Sequence, residues 1–309
     1  MPEFAHKSVL LGEVVEALQP RSGGKFFDGT VGGGGHAAAI LEASGPDGWL
    51  WGMDRDGDAL KAAEQRLAKY AGRFELRRGN FSELADWIPV ASCAGGVLDL
   101  GVSSPQLDWA ERGFSFGSEG PLDSRMDQRQ TTTAADLVNT ASEFELAKIF
   151  WEFGEERQSR RFAKAIVEQR KVKRFTTTKE LADLIERLAP RHGKRTHPAT
   201  QVFQALRIAV NDELGSLERG LEAAVKILQP GGRLAVITFH SLEVRLLREF
   251  GKERTRDYAI EGEVDVPELR KPRAAELRWV QRKAIQPSEA ELNSNPRSRS
   301  AQLRVLEKI

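Results

Sequence analysis

Four consecutive glycines, Gly32 to Gly35, sit between a short apolar segment and an alanine-rich one. Lys25, Phe26 and Phe27 precede them, and Ala37 to Leu41 follow. This is the order of a parallel strand that turns sharply into a helix. Glycine permits positive φ and lets a ligand approach without a Cβ in the way. The helix that follows presents free N–H groups and the positive end of its dipole. A nucleotide-like cofactor is therefore expected against residues 28–37.

The surrounding pattern fixes the fold class. Strands are expected at 25–28, 49–54, 74–77 and 96–100, with helices at 36–43 and 59–69 between them. The pattern resumes with one long helical stretch over 201–228 and a turn at Pro230, Gly231 and Gly232. A buried strand at 233–238 follows, then two further strands at 277–285 and 302–307, read as antiparallel at the sheet edge. Alternating β and α elements imply an α/β fold with a mostly parallel sheet covered by helices on both faces. About 100 residues in the middle fit no βα pattern. They hold helical stretches at 133–138, 144–153, 158–169 and 179–188. Residues 113–196 are read as an inserted all-helical domain, and 1–112 with 197–309 as the sheet domain.

The glycine loop satisfies the dinucleotide pattern G-x-G-x-x-A at Gly32, Gly34 and Ala37. Asp54 ends the second strand 20 residues after Gly34, where an acid binds ribose hydroxyls. Both nicotinamide dinucleotides and S-adenosylmethionine carry such a ribose. Asp28 favours the second, because a carboxylate there repels a pyrophosphate but attracts an ammonium and a sulfonium. Asp28 as a simple turn cap stays open. Phe81, after the third strand, is either an adenine platform or a core aromatic.

In an open parallel sheet, ligands lie outside the carboxyl ends of the strands. That puts Asp99 to Gln106 on the site rim, with the turn Ser103, Ser104 and Pro105 exposing hydroxyls and carbonyls. The turn resembles the Asp/Asn/Ser-Pro-Pro-aromatic turn of amino-group methyltransferases, with Gln106 in place of the second proline. His240, Ser241 and Glu243 leave the fifth strand toward the same crevice.

Charge is informative only locally. The chain has 46 basic and 45 acidic residues, a net of +1. Yet residues 157–174 contain eight Arg or Lys against one acid, Glu168, which suggests RNA phosphate contacts. Lys194, Arg195, His197, Arg297 and Arg299 add to this. His192 and His197 have no cysteine or acid set beside them, so no metal is expected. The single cysteine, Cys93, excludes an intramolecular disulfide, and no signal pattern or membrane span is read. A cytoplasmic location is the expectation.

Taken together, the motifs resemble the RsmH (MraW) family of S-adenosylmethionine-dependent 16S rRNA cytosine-N4 methyltransferases. The resemblance runs through residues 6–13 (HKSVLLGE), 28–32 (DGTVG), 34–36 (GGH), 98–108 (LDLGVSSPQLD) and 111–116 (ERGFSF). It continues through 120–123 (GPLD), 154–157 (GEER), 197–200 (HPAT), 203–208 (FQALRI), 230–233 (PGGR), 239–243 (FHSLE) and 295–299 (NPRSR). Gly33 departs from a position often basic or polar in that family. The resemblance implies a class I (Rossmann-like) methyltransferase sheet with a helical insertion. It implies donor contacts at Gly34, Gly35, His36, Asp54, Phe81, Asp99 and Gln106. The candidates for accepting the proton from N4 are Ser103, Ser104 and Pro105, with Asp99 beside them. The implied partner is 16S rRNA within the small ribosomal subunit, with no membrane and with a homodimer left open. A nicotinamide oxidoreductase, a DNA amino-methyltransferase and a non-catalytic RNA-binding assembly factor remain as alternatives.

Overall fold

The computed structural model describes residues 8–190, 197–260 and 265–309. His6, Lys7, His192, Lys194 and Arg195, named above, lie outside the described residues. The chain divides into two compact units, Met1–Gly101 with Leu214–Ile309, and Val102–Glu213.

The first unit is built on a seven-stranded sheet. Its strands are β1 (Lys25–Asp28), β2 (Trp49–Asp54), β3 (Phe74–Arg78), β4 (Cys93–Asp99) and β5 (Leu228–Thr238). A small antiparallel ribbon, β6 (Tyr258–Ile260) with β7 (Arg270–Pro272), stands apart from it. β8 (Leu277–Trp279) and β9 (Gln302–Lys308) complete the main sheet, whose order is β3-β2-β1-β4-β5-β9-β8. The first five strands are parallel, and β9 runs antiparallel to both β5 and β8.

The central strands are buried on both faces, which is why they read as unbroken apolar runs. Side chains alternate across a strand, and the two cores follow that alternation. Phe27, Leu98, Leu234 and Val236 belong to one core cluster. Phe26, Val97, Ala235 and Ile237 belong to the other. Gly96 in β4 is required by its neighbour: a Cβ there meets the Phe27 ring at 2.2 Å.

The helices of this unit are α1 (Leu11–Leu18), α2 (Gly35–Ala43) and α3 (Gly57–Leu67). The second unit holds α4 (Ser104–Asp108), α5 (Ala134–Thr140), α6 (Glu143–Gly154), α7 (Ser159–Val172), α8 (Thr178–Leu188) and α9 (Thr200–Asn211). The chain then continues through α10 (Glu213–Ile227), α11 (Ser241–Arg254) and α12 (Glu289–Ser294). In the second unit Leu146, Phe150, Phe162, Ile166, Leu181, Ile185, Val202 and Leu206 share one apolar cluster. The expected insertion, 113–196, lies inside this unit, which also takes in α9. The reason is packing: a Cβ on Gly154 of α6 meets the Gln201 carbonyl oxygen at 2.5 Å, so the two backbones touch.

Three readings of the sequence are corrected. The single helix expected over 201–228 is two, α9 and α10, broken at Asp212, whose φ is 47°. Asn211 turns the chain there. Its Oδ1 accepts from Met126 N at 2.8 Å, and its Nδ2 donates to the Ser124 and Arg207 carbonyls at 2.8 Å each. The turn at Pro230 to Gly232 lies within β5, where the register against β4 shifts between Cys93 and Gly95. The strand expected over 277–285 is only Leu277–Trp279, with a separate bridge from Ile285 to Leu303.

Candidate active site

The site grows from the carboxyl ends of β1, β2 and β4. Asp28, Asp54 and Asp99 are the last residues of those strands. The loop between β1 and α2 is pinned to the neighbouring strands: Gly29 N donates to Val97 O and Val31 N to Met53 O, both at 3.0 Å. Gly34 then takes φ 77° as the residue before α2, a conformation that glycine adopts freely. A Cβ on Gly34 also meets the Ala63 Cα at 3.1 Å, so α3 packs directly on the loop.

The three carboxylates share one electrostatic condition. Burial pushes Asp28 up to about 7, partly offset by the N–H of Thr30 and reinforced by Asp54. Its Oδ1 accepts from Thr30 N at 3.1 Å. Burial likewise pushes Asp54 up to about 6, against the opposing pull of the Asp56 and Gly32 N–H groups. Its Oδ2 accepts from Gly32 N at 2.8 Å and its Oδ1 from Asp56 N at 2.9 Å. Asp99 is raised well above the usual carboxylate range by burial first, then by Asp28, Glu243 and Glu291. Its Oδ1 is buried with no hydrogen-bond partner among the described residues. None of the three forms an ion pair among the described residues. Such a group waits for a ligand that brings donors or positive charge.

The other expected donor contacts take more structural positions. Gly35 is the first residue of α2. His36 is 4% exposed and its Nε2 lies 3.0 Å from the Val9 carbonyl oxygen. A carbonyl only accepts, so Nε2 carries the proton. His36 thereby ties the N-terminal segment to α2. Phe81 belongs to the apolar core. Its ring fills the space where a Cβ on Gly220 of α10 would sit, 2.2 Å from the Phe81 ring. The ring packs on Gly220, and Phe81 stays a candidate for the adenine contact.

Gln106, Ser103, Ser104 and Pro105 belong to the second unit. Gln106 is buried and its Oε1 accepts from Ser103 N at 3.0 Å, closing the first turn of α4. Pro105 is buried in the same turn. Glu243 accepts from Phe239 N at 2.7 Å and His240 N at 3.2 Å, which fixes the start of α11. His197 accepts from Ala199 N through Nδ1 at 3.1 Å and stacks on Phe116 with ring centres 4.6 Å apart. Cys93 is buried at the start of β4, where burial pushes its thiol up to about 12.

Two residues escaped the sequence reading. Thr30 Oγ1 accepts from Asp99 N at 2.6 Å, joining the glycine loop to the end of β4. Glu291 of α12 accepts from Leu10 N at 2.8 Å and adds to the negative field at Asp99. Neither has a local signature, because each acts across a long sequence separation.

The basic segment divides by use. Arg170 donates to the Val138 carbonyl at 2.7 Å, and Lys173 pairs with Glu180 at 2.5 Å. Arg160, Arg161, Lys164 and Lys171 stay exposed along α7. No helix among the described residues is long and apolar enough to cross a membrane.

Comparison with known proteins places these features in a family. Residues 3–309 match the model of the MraW methylase family. The Ribosomal RNA small subunit methyltransferase H of Magnetococcus marinus is 47% identical over 313 residues, covering 99% of each chain. The proteins of the same name from Geotalea uraniireducens and Citrifermentans bemidjiense are 48% and 50% identical, each covering 100% of both chains.

Proposed function

The chain belongs to the MraW methylase family, and from that premise we propose that it methylates small-subunit ribosomal RNA with S-adenosylmethionine as donor. The target proposed is the exocyclic N4 of one cytidine in the decoding region of 16S rRNA. The names of the relatives support the rRNA substrate. The observation that carries the donor assignment is the set of three strand-end carboxylates, Asp28 buried and Asp54 and Asp99 half-buried, that form no ion pair among the described residues. A pyrophosphate there adds charge of the same sign, whereas an ammonium and a sulfonium bring the opposite one. The residues present therefore fit this donor and disfavour a dinucleotide.

Asp54 receives the ribose hydroxyls with lone pairs left free by its two backbone N–H contacts. Asp99, with its unpartnered oxygen, and Asp28 favour the donor's positive groups. The backbone at Gly34 and Gly35 leaves room for close approach. His36 holds the loop's helix in place, and Phe81 backs the site as an apolar wall. Gln106 is carried as a donor contact by the resemblance.

Transfer breaks the sulfonium S–CH₃ bond and forms N4–CH₃. The sulfur leaves as a neutral thioether, and one N4 proton is lost. The N4 lone pair is delocalised into the pyrimidine ring, so alignment with the S–CH₃ axis supplies much of the acceleration. Extrusion of the base from its stack is needed to reach it. An acceptor on the N4 hydrogens favours a pyramidal, more nucleophilic nitrogen. The candidates are the carbonyls and hydroxyls of Ser103, Ser104 and Pro105, and Asp99. No thiol nucleophile is required, and buried Cys93 takes no part.

The experiment combines labelled S-adenosylmethionine, purified protein and small-subunit rRNA, followed by mass analysis of nucleosides. N4-methylcytidine is expected at one site. Label at another atom overturns the N4 assignment. RNA binding without any label supports a non-catalytic assembly factor instead.

A further inference from the structure

The outer edge of the sheet carries a second basic surface, separate from the α7 segment. β9 begins opposite the end of β5, with Gln302 paired to Thr238 and Arg304 to Val236. The edge therefore starts on the side of the sheet where the parallel strands end. The backbone from Val280 to Ile285 runs along it, tied by Val280 N to Val305 O at 3.0 Å and by mutual Ile285–Leu303 bonds at 2.9 Å. Arg304 Nη1 donates to the Arg282 carbonyl at 3.3 Å. This brings Arg282 and Lys283 beside Arg304.

α11 adds the other half. Its residues Arg245, Arg248 and Lys252 recur at i, i+3 and i+7, so they share one face, and all three are exposed. Trp279 of β8 packs against Gly251, where a Cβ meets its ring at 2.0 Å. The Arg304 guanidinium lies 5.9 Å from the centre of the Trp279 ring. Arg304 is held below its ordinary value by burial first and then by the positive charge of Arg248. The Arg304 Nε is buried with no partner among the described residues. Among the described residues, Arg245, Arg248, Arg282, Lys283 and Arg304 form no ion pair with a carboxylate. Glu249, four residues after Arg245 and three before Lys252, lies on the same side of the helix but forms no ion pair with either among the described residues.

Like charges gathered on one edge without paired carboxylates repel one another. They become favourable when an anion bridges them, and guanidinium forks suit phosphate oxygens. We propose that Arg248, Arg282, Lys283 and Arg304 form a phosphate-binding strip at the sheet edge that holds the backbone of the RNA substrate. The proposal rests on the rRNA reading above and adds a contact surface within the catalytic unit itself. The four cations come from α11, β9 and the segment between Val280 and Ile285, more than one phosphate group engages, which commits this face to a chain of phosphates.

The test uses the full chain and the triple variant Arg248→Gln, Arg282→Gln and Lys283→Gln, all at exposed positions. A control triple, Arg21→Gln, Lys25→Gln and Lys226→Gln, removes equal charge at the opposite ends of the strands. Binding of a labelled small-subunit rRNA fragment is measured from 50 to 300 mM salt. Each lost phosphate contact lowers the slope of log K against log salt by about 0.7. The edge variant is expected to lose about 2 from that slope and about tenfold or more in affinity near 0.1 M salt. The control triple is expected to keep both, and both proteins to keep cofactor affinity. Equal slopes for wild type and edge variant overturn the strip. Displacement of wild-type RNA by a few millimolar inorganic phosphate also overturns it, because that marks a single-anion site. If the wild type transfers no methyl to rRNA, the reading of function fails instead; normal transfer with an unaffected variant sinks only the strip.

Discussion

A cofactor that brings positive charge to buried carboxylates must displace protons from them, and the pKa values set how many. Asp28 sits at about 7 and Asp54 at about 6 before the cofactor arrives. If the donor binds only the ionised forms, apparent affinity falls as pH drops through those values. Between pH 7.5 and pH 6 the combined loss is about 15-fold, with Asp99 acting in the same direction. At pH 6.5 Asp28 is about three-quarters protonated and Asp54 about one-quarter, so these two acids together release about one proton on binding, and Asp99 adds to it. Titration calorimetry in two buffers of different ionisation enthalpy reads that proton directly. The upper limit stays at pH 7.5, because the donor's own α-amino group titrates near ~7.8. Asp28→Asn keeps an oxygen for Thr30 N and should remove most of the released proton. A pH-independent Kd with no proton release in the wild type would refute the argument that these acids receive the cationic donor.

Other substitutions test separate parts of the site. Asp54→Ala removes the acceptor for Gly32 N and Asp56 N as well as for the ribose, and calorimetry should show at least about tenfold weaker donor binding; unchanged affinity removes Asp54 from the ribose site. Gly220→Ala forces a methyl into the Phe81 ring, which should lower unfolding free energy in urea by about 1–3 kcal/mol; an unaltered midpoint contradicts the packing. Neutralising Arg160, Lys164 and Lys171 together should weaken rRNA binding while leaving donor affinity intact, and equal RNA affinity would make that helix face mere solvated surface. Without cofactor, the raised Asp28 value means that the folded protein holds a proton the unfolded chain releases. The resulting stability is present below about pH 4 and is lost as pH rises through about 7, so Tm should fall across that window. Asp28→Asn should flatten the decline, and an unchanged slope would remove Asp28 as its source.

The parallel half of the sheet was legible because it depends on local order. Strand, glycine loop, helix and acid follow one another within about 30 residues, as a βαβ unit requires. Asp54 and Asp99 could be placed at strand ends from periodicity alone. The break at Asp212 was not legible, since helical spacing continues across it and Asn211 takes its partners from Ser124 and Met126, far away in sequence. The packing of Phe81 against Gly220 was equally hidden, because the glycine that makes room for the ring lies in a helix read only as apolar. The edge strands were misjudged for a related reason. β8 has three residues, and its neighbour at Ile285 pairs only as an isolated bridge.

The glycine loop and the acids solve opposite halves of one problem. Parallel strands that end together place their terminal carboxylates side by side, where burial and mutual repulsion oppose ionisation. A loop with side chains would cover those ends and give each acid a local partner. Glycines leave them open, and the backbone N–H groups of Thr30 and Gly32 stabilise two of the acids only in part. Asp99 is left with an oxygen that nothing among the described residues satisfies. The fold thus keeps a negative pocket that it does not neutralise itself, at a cost to its own stability near neutral pH. The same logic recurs with the sign reversed at the sheet edge, where Arg248 adds to the positive field at Arg304. One unpaired charge set suits a cationic donor and the other an anionic polymer, so the sites can be told apart by which ligand relieves which repulsion.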